Sequence, residues 1–143
     1  MTSDIDTADR LTRKRARDSI LLAILFIAQQ GSWMTHAATG DATRFKLGAW
    51  FALTGVLLLF LGLGGGFFRR RAVRDLMNDE TTRAHRTRAF ALAFWNVMAT
   101  GMVLYVLSLF KAFDPRDAIH VMMTVGIATA LISFGTMERR ALA

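Results

Sequence analysis

Four long apolar blocks that carry no charge constrain this chain more than any other feature of its sequence. Nearly all of the 29 charged residues lie between the blocks, and 53% of the 143 residues are hydrophobic. A helix needs about 20 mostly apolar residues to cross the hydrocarbon of a bilayer. The blocks therefore predict an all-α polytopic membrane protein with four transmembrane helices in two hairpins, and they leave no room for a separate soluble domain.

The predicted spans are 19–38, 47–68, 89–110 and 118–137. Residues 1–18 form a polar N-terminal segment, and residues 69–88 form an arginine-rich connection. The helix of the third span is expected to begin early, at Asp79-Glu80. Asn78 can cap it by accepting a free backbone amide, and the two acids suit the positive end of the helix dipole.

The basic residues predict the orientation of the bundle. Fourteen of the 18 Lys and Arg residues lie in the N-terminal segment, in the connection and in the tail after residue 137. Basic residues favour the cytoplasmic side of a membrane, so both termini and the connection are predicted to be cytoplasmic. The net charge of +7 then reflects topology and contact with anionic lipid headgroups, and no nucleic acid is expected as a partner. The predicted location is a bacterial inner (plasma) membrane, with several passes.

The first span has two interpretations. A basic head followed by the short apolar core Ile20–Ala28 is typical of a cleaved signal peptide. Against this, Gln29, Trp33 and His36 recur at the spacing of one helical face, which favours a retained helix. The polar outer half makes this helix the weakest of the four spans.

Two histidines are the candidate cofactor ligands. His36 lies near the outer end of the first span and His120 near the outer start of the fourth, so the predicted topology brings them to a similar depth. Paired imidazoles on helices commonly hold b-type haem, and Met34, Met122 and Met123 are soft copper ligands nearby. The favoured interpretation is that both histidines are polar residues at the membrane surface. No cofactor is therefore predicted, with haem b on His36 and His120 as the alternative.

Uncharged polar side chains interrupt the blocks at Gln29, Gln30, Asn96 and Thr100. Such groups most often form hydrogen bonds between helices, worth about 1 kcal/mol each. They could instead line a small dimeric transporter or channel. No Asp, Glu, Lys or Arg lies clearly inside a block, so the titratable group that a proton-coupled carrier needs is not evident.

The connection 69–88 is the candidate interaction surface. Its arginines are Arg69, Arg70, Arg71, Arg74, Arg83, Arg86 and Arg88. They exceed what orientation requires, and interspersed acids make the segment a patterned surface. A membrane or cytoplasmic protein partner is one expectation, and a homo-oligomer is another. Small-residue spacing at Gly48-Ala52-Gly55 and at Gly126-Ala130 would let helices approach closely, within the bundle or between protomers.

Catalytic chemistry has little support in the sequence. The chain has no cysteine, which excludes thiolate metal sites and disulfide exchange on its own residues. It also lacks the HExxH, GxSxG and GxxxxGK[ST] motifs. We therefore predict no catalytic residue and no metal site, and a non-enzymatic protein is favoured.

The stretch Met77–Arg83 (MNDETTR), followed by Ala89 and Phe94-Trp95, resembles the start of the third helix in small bacterial four-helix membrane proteins of the DUF2178-like kind. An Asp-Glu pair opens that helix and small residues follow. The likeness covers about twenty residues. It implies a four-helix membrane fold and transfers no catalytic residue, because such families are uncharacterised.

These observations together predict a small accessory or regulatory membrane subunit that acts through helix packing and a basic cytoplasmic loop. A redox or metal-binding protein and a small dimeric transporter or channel are the alternatives.

Overall fold

The computed structural model is all-α and describes residues 2–35, 41–63, 80–112 and 114–141. Four helices lie in these ranges. They are α1 (Thr2–Thr35), α2 (Asp41–Leu63), α3 (Glu80–Ser108) and α4 (Pro115–Ala141). The all-α prediction with four helices is confirmed.

The first helix is longer than its apolar block. The structure continues α1 back to Thr2, through the whole polar N-terminal segment. That segment contains neither Gly nor Pro, and its Ala, Arg, Lys and Leu residues are strong helix formers. The basic residues and the apolar block therefore share one helix, and Arg15 of its basic part contacts α3 and α4.

The bounds of α3 and α4 follow local signals that the sequence contains. The predicted early start of the third helix is confirmed, because α3 begins at Glu80 and runs uninterrupted into the apolar block. The proposed cap Asn78 lies outside the described residues. The backbone amide of Arg116 donates to Asp114 Oδ1 at 2.9 Å. Asp114 thus caps α4, and Pro115 occupies the first helical position, where its missing N–H costs nothing.

The fourth helix is the centre of the bundle. It packs along α1 and α3 with close backbones, whereas α2 stands further from it. Buried side chains from all four helices meet in one core cluster. Its members are Ala23, Phe26, Leu57, Leu61, Ala93, Ile127, Ala130 and Leu131. Because α4 lies between α1 and α3, it is the helix that determines where the other elements stand.

Two glycines of α4 allow this close packing. A Cβ built on Gly126 would lie 2.7 Å from Val97 Cγ2 of α3. A Cβ built on Gly135 would lie 2.8 Å from the carbonyl oxygen of Ala16 in α1. By contrast, Gly48 and Gly55 of α2 have nothing within 4 Å of that position in the structure. The small-residue pattern thus permits close approach on α4, while that of α2 faces open space.

Much of the apolar surface is not covered by the described residues. Two helices, α3 and α4, are long and apolar enough to cross a membrane by length and composition. Only 6% of the most apolar 18-residue window of α3 is buried inside the bundle. Large exposed apolar side chains on this helix include Phe94, Trp95, Met102, Tyr105 and Phe110. The described part of the chain thus leaves a large apolar surface on α3, of a size that marks a site of contact with a membrane or another protein.

We expect Gly135→Ala to lower the free energy of unfolding by about 1–3 kcal/mol, because the added methyl group meets a backbone oxygen that cannot rotate away. Gly55→Ala is the matched control. Its methyl group enters open space, so we expect no loss and a gain of up to about 1 kcal/mol from helix propensity. Thermal unfolding in mild detergent, followed by circular dichroism, checks both variants. Equal stability changes in the two variants would contradict the close α1–α4 contact.

Candidate functional site: a buried ion-pair cluster at the basic end

A buried ion pair joins α1 to α4 at one end of the bundle. Arg15 Nη2 lies 2.5 Å from Glu138 Oε2, and the two side chains are only 5% and 3% exposed. Removing two charges from water costs several kcal/mol per ion unless each meets an opposite charge and further hydrogen bonds. The position of α1 against α4 is therefore strongly specified at this level.

Two residues of α3 complete the cluster. Arg15 Nη2 also donates to Thr82 Oγ1 at 3.2 Å. On the other side of the carboxylate, His85 Nδ1 lies 3.3 Å from Glu138 Oε1. The His85 side chain is 19% exposed, so it forms the solvent edge of the site. Arg15, Thr82, His85 and Glu138 are called the ion-pair cluster below, and they tie three helices together.

Neighbouring contacts extend this junction along α1 and α4. The guanidinium carbon of Arg15 lies 5.4 Å from the ring centroid of Phe134, within the range of a cation–π interaction. One turn further along α1, Ser19 Oγ donates to the backbone carbonyl of Leu131 at 2.8 Å. Ser19 is fully buried, so this bond also replaces lost contact with water. These contacts fix the register of the antiparallel α1–α4 pair.

Sequence analysis missed the cluster. It placed Arg15 in the polar N-terminal segment and Glu138 in the tail after the fourth span, so both were expected outside the bundle. The structure buries both, because α1 and α4 each continue past their apolar blocks and pack there. One signal was present: Glu138 is the only acid between residues 118 and 143, and it follows the fourth block directly.

The predicted arginine surface is described in part. Arg69, Arg70, Arg71 and Arg74 lie outside the described residues. Arg83 and Arg88 are exposed on α3. Arg86 is half-buried, and its Nη1 donates to the carbonyl of Gly62 at 2.9 Å. A cation bound to a carbonyl at the end of α2 also suits the negative end of that helix dipole. Arg86 is thus a contact between α2 and α3, in addition to its predicted place in the interaction surface.

The surface around the ion-pair cluster is strongly basic. Eight exposed cations of α1, α3 and α4 lie within a few turns of it. They are Arg10, Arg13, Lys14, Arg17, Arg83, Arg88, Arg139 and Arg140. Glu80 is exposed and Asp18 half-buried nearby, while Arg15 pairs with the buried Glu138. We call this end of the bundle the basic end. Its positive potential favours anionic partners.

The opposite end contains the predicted histidine site. His36 lies outside the described residues, so the pairing of the two histidines stays a prediction. His120 is half-buried on α4, and its ring stacks on Trp50 of α2, with centroids 4.3 Å apart and planes inclined by 24°. Trp50 is itself 4% exposed. The observed role of His120 is therefore a contact between α2 and α4, and haem binding stays a prediction.

The four polar residues predicted inside the spans differ in their surroundings. Gln29 is exposed and Gln30 is buried on α1. Asn96 is exposed on α3, and its Nδ2 donates to the carbonyl of Leu92 at 3.0 Å. Thr100 Oγ1 donates to the carbonyl of Asn96 at 2.7 Å. These hydrogen bonds of Asn96 and Thr100 thus stay within α3 and do not reach another of the described helices.

Away from the ion-pair cluster, the described residues form a further groove. A shallow apolar groove of about 350 Å³ lies between α3 and α4. Its lining is Met98, Gly101, Met102, Tyr105, Val106 and Met122. Among the described residues, no group of three or more His, Asp or Glu side chains is placed to hold a metal ion.

No family model, curated protein or solved structure matches this chain. The DUF2178-like resemblance therefore stays a prediction.

We expect Arg15→Met and Glu138→Met each to lower the free energy of unfolding by about 3–5 kcal/mol, because each single change leaves an unpaired buried charge. In the double variant no charge is left unpaired, so most of the loss should be recovered. Unfolding of the three variants in mild detergent gives the coupling energy directly.

Arg140→Met serves as the control, since Arg140 is exposed one turn or less from Glu138 and should change stability by no more than about 0.5 kcal/mol. If the double variant loses as much as the sum of the two single variants, the ion pair is not the interaction that holds α1 to α4.

Proposed function

We propose that this chain is a non-enzymatic multi-pass membrane protein of the inner (plasma) membrane. In this proposal its four helices cross the bilayer in two hairpins, with both termini and the basic end in the cytoplasm. The protein acts as an accessory or regulatory subunit, and its basic end docks a partner with an acidic surface.

The exposed apolar surface of α3 is the observation that carries the proposal. A core helix of a water-soluble protein passes the same test of length and composition, but such a helix is mostly buried. Here 6% of the apolar window of α3 is buried, and Trp95, Met102 and Tyr105 are about 70% exposed. Burial in lipid removes this surface from water, which stabilises the protein by about 25 cal/mol per Å² of apolar area.

The contacts between helices support the proposed topology. Arg15, Gly62, Arg86 and Glu138 belong to four different helices and meet at the basic end. Trp50 and His120 meet at the opposite end. Consecutive helices therefore run in alternating directions, which is the arrangement that two hairpins require. Basic residues at one end then favour a cytoplasmic position for it.

The docking role is supported by how firmly the basic surface is held. Thr82 and His85 of the ion-pair cluster lie on the same helical turns as Arg83 and Arg88. The cluster fixes the start of α3 to α1 and α4, so the exposed arginines are presented on a rigid element. Less conformational entropy is lost when a partner binds a surface that is already ordered.

The absence of native cysteine makes the topology directly testable. We expect Ala141→Cys, at the basic end, to react with a membrane-impermeant maleimide only after the cells are permeabilised. Ala112→Cys, in the turn between α3 and α4, should react in intact cells, because that turn is proposed to face outward. The opposite labelling pattern would mean that the basic end faces outward. Full extraction of the protein by alkaline carbonate would contradict membrane insertion.

For the docking role, we expect Arg83→Glu combined with Arg88→Glu to reduce co-purification of an in-cell crosslinked partner by about tenfold or more, because two attractions become repulsions. Quantitative mass spectrometry of affinity-purified protein measures this. Arg116→Glu is the matched control, since Arg116 is exposed at the opposite end of the bundle. An equal effect of both changes, or recovery of the same proteins by all variants, would contradict docking through the basic end.

A further inference from the structure

We propose that α3 pairs with α3 of a second copy of this chain along one exposed seam, with Asn96 at its centre. The inference rests on the membrane insertion proposed above. The seam consists of Leu92, Asn96, Ala99, Val103 and Val106, and is called the α3 seam below. All five side chains are exposed in the single chain.

The spacing of the α3 seam is that of a helix–helix interface. Its residues follow one another at intervals of four, three, four and three, the repeat that keeps one face of a helix against a partner helix. Four of the five are apolar. The fourth helix packs mainly against a different face of α3, that of Ala93 and Val97, and Val106 is the seam residue that borders the groove between α3 and α4. The seam therefore has the form of a helix–helix interface, and none of the other described helices covers it.

Asn96 distinguishes this face of α3 from a helix face that contacts only lipid. Its Nδ2 donates to the carbonyl of Leu92 within α3. Its Oδ1 accepts no hydrogen bond from the part of the chain that the structure describes, and one N–H of the amide is also left over. Thr100, by contrast, satisfies its hydroxyl donor on the carbonyl of Asn96.

The depth of Asn96 makes an unpaired amide costly. It lies about 12 Å along the helix axis beyond the exposed Arg88, inside the apolar stretch of α3, and the helix continues from there to Ser108. Water that could bond to the amide is missing at that depth, and an unsatisfied polar group in hydrocarbon costs several kcal/mol. A lipid tail cannot supply a donor or an acceptor, so another protein helix is the occupant that fits.

A second copy satisfies this requirement by symmetry. A carboxamide carries both a donor and an acceptor, so two Asn96 side chains related by a two-fold axis can bond to each other. All copies have one orientation in the membrane, and a two-fold axis along the membrane normal therefore places two α3 helices parallel and in register. Ala99, one turn away, is small enough for the backbones to approach closely there. A single Asn in an otherwise apolar repeat also specifies register and pairing.

Disulfide crosslinking tests the seam, since the chain has no cysteine of its own. In native membranes treated with a copper–phenanthroline oxidant, we expect Ala99→Cys to give a disulfide-linked dimer. A parallel seam brings two copies of this position within the roughly 4.4–6.8 Å Cα separation that a disulfide needs. Phe94→Cys is the control, and this position lies about 7.5 Å away along the helix axis. Phe94 is also exposed but lies about 140° around the helix from Ala99, and it should give little dimer.

The role of Asn96 is tested in the Ala99→Cys background. Adding Asn96→Leu keeps the side-chain size but removes the amide, and we expect dimer formation at limiting protein density to fall about five- to thirtyfold. Asn96→Gln retains the amide and should recover part of the loss. The circular dichroism spectrum and carbonate resistance of each variant verify that it folds and inserts.

Three results would overturn the inference: equal dimer yields from Ala99→Cys and Phe94→Cys, no dimer from Ala99→Cys, or an Asn96→Leu variant that still dimerises fully. A crosslink from Ala99→Cys to a different protein would also overturn it, because the seam would then serve another partner. Carbonate resistance separates the two proposals. If the protein inserts into the membrane but does not dimerise, only the proposed α3 seam is refuted. If it does not insert, the proposed function is refuted as well.

Discussion

The rest of the structure depends on the salt bridge between Arg15 and Glu138. Both charges are buried, and each is tolerated only because the other is present. Since Thr82 and His85 bond to the same two side chains, the salt bridge joins α1, α3 and α4 at a single point. Close packing at Gly135 and the Ser19 hydrogen bond then continue from that point along α1 and α4. A buried ion pair adds little net stability compared with apolar residues of similar size, but it penalises every other register of these helices.

The salt bridge also shapes the electrostatics of the molecule. It pairs the single acid of α4's last turns with a cation of α1, and the remaining cations of that end stay exposed around it. Most of the described cations thus lie at one end, and the apolar surface lies along the sides of the helices. In the proposed function, this separation lets one surface face anionic or acidic partners while α3 and the outer faces of the other helices contact lipid. The proposed accessory role and the proposed α3 seam use different parts of the molecule, and neither requires the other's contacts.

Sequence reasoning worked where the determining interactions are local. The start of α3 at Glu80 agrees with the prediction from the acids at its first turn. The fourth helix begins at Pro115, three residues before the predicted span, where Asp114 caps it. Sequence reasoning failed for Arg15 and Glu138, since charge and position outside an apolar block both predict exposure. Burial of these two side chains requires a partner 123 residues away in the sequence, and no local pattern contains that information. Asn96 and Thr100 were found from the sequence as polar groups inside a span, but only the structure distinguishes the exposed amide from the satisfied hydroxyl.

The sequence by itself determined the helical class, the order of the apolar blocks and the separation of charge from apolar surface, because these depend on hydropathy and on residues within a few positions of each other. The tertiary structure decided which helix is central, which charges are buried and which face of α3 stays uncovered. Those features depend on the packing of distant segments, where a glycine such as Gly135 or a single carboxylate such as Glu138 sets how closely and in which register two helices meet.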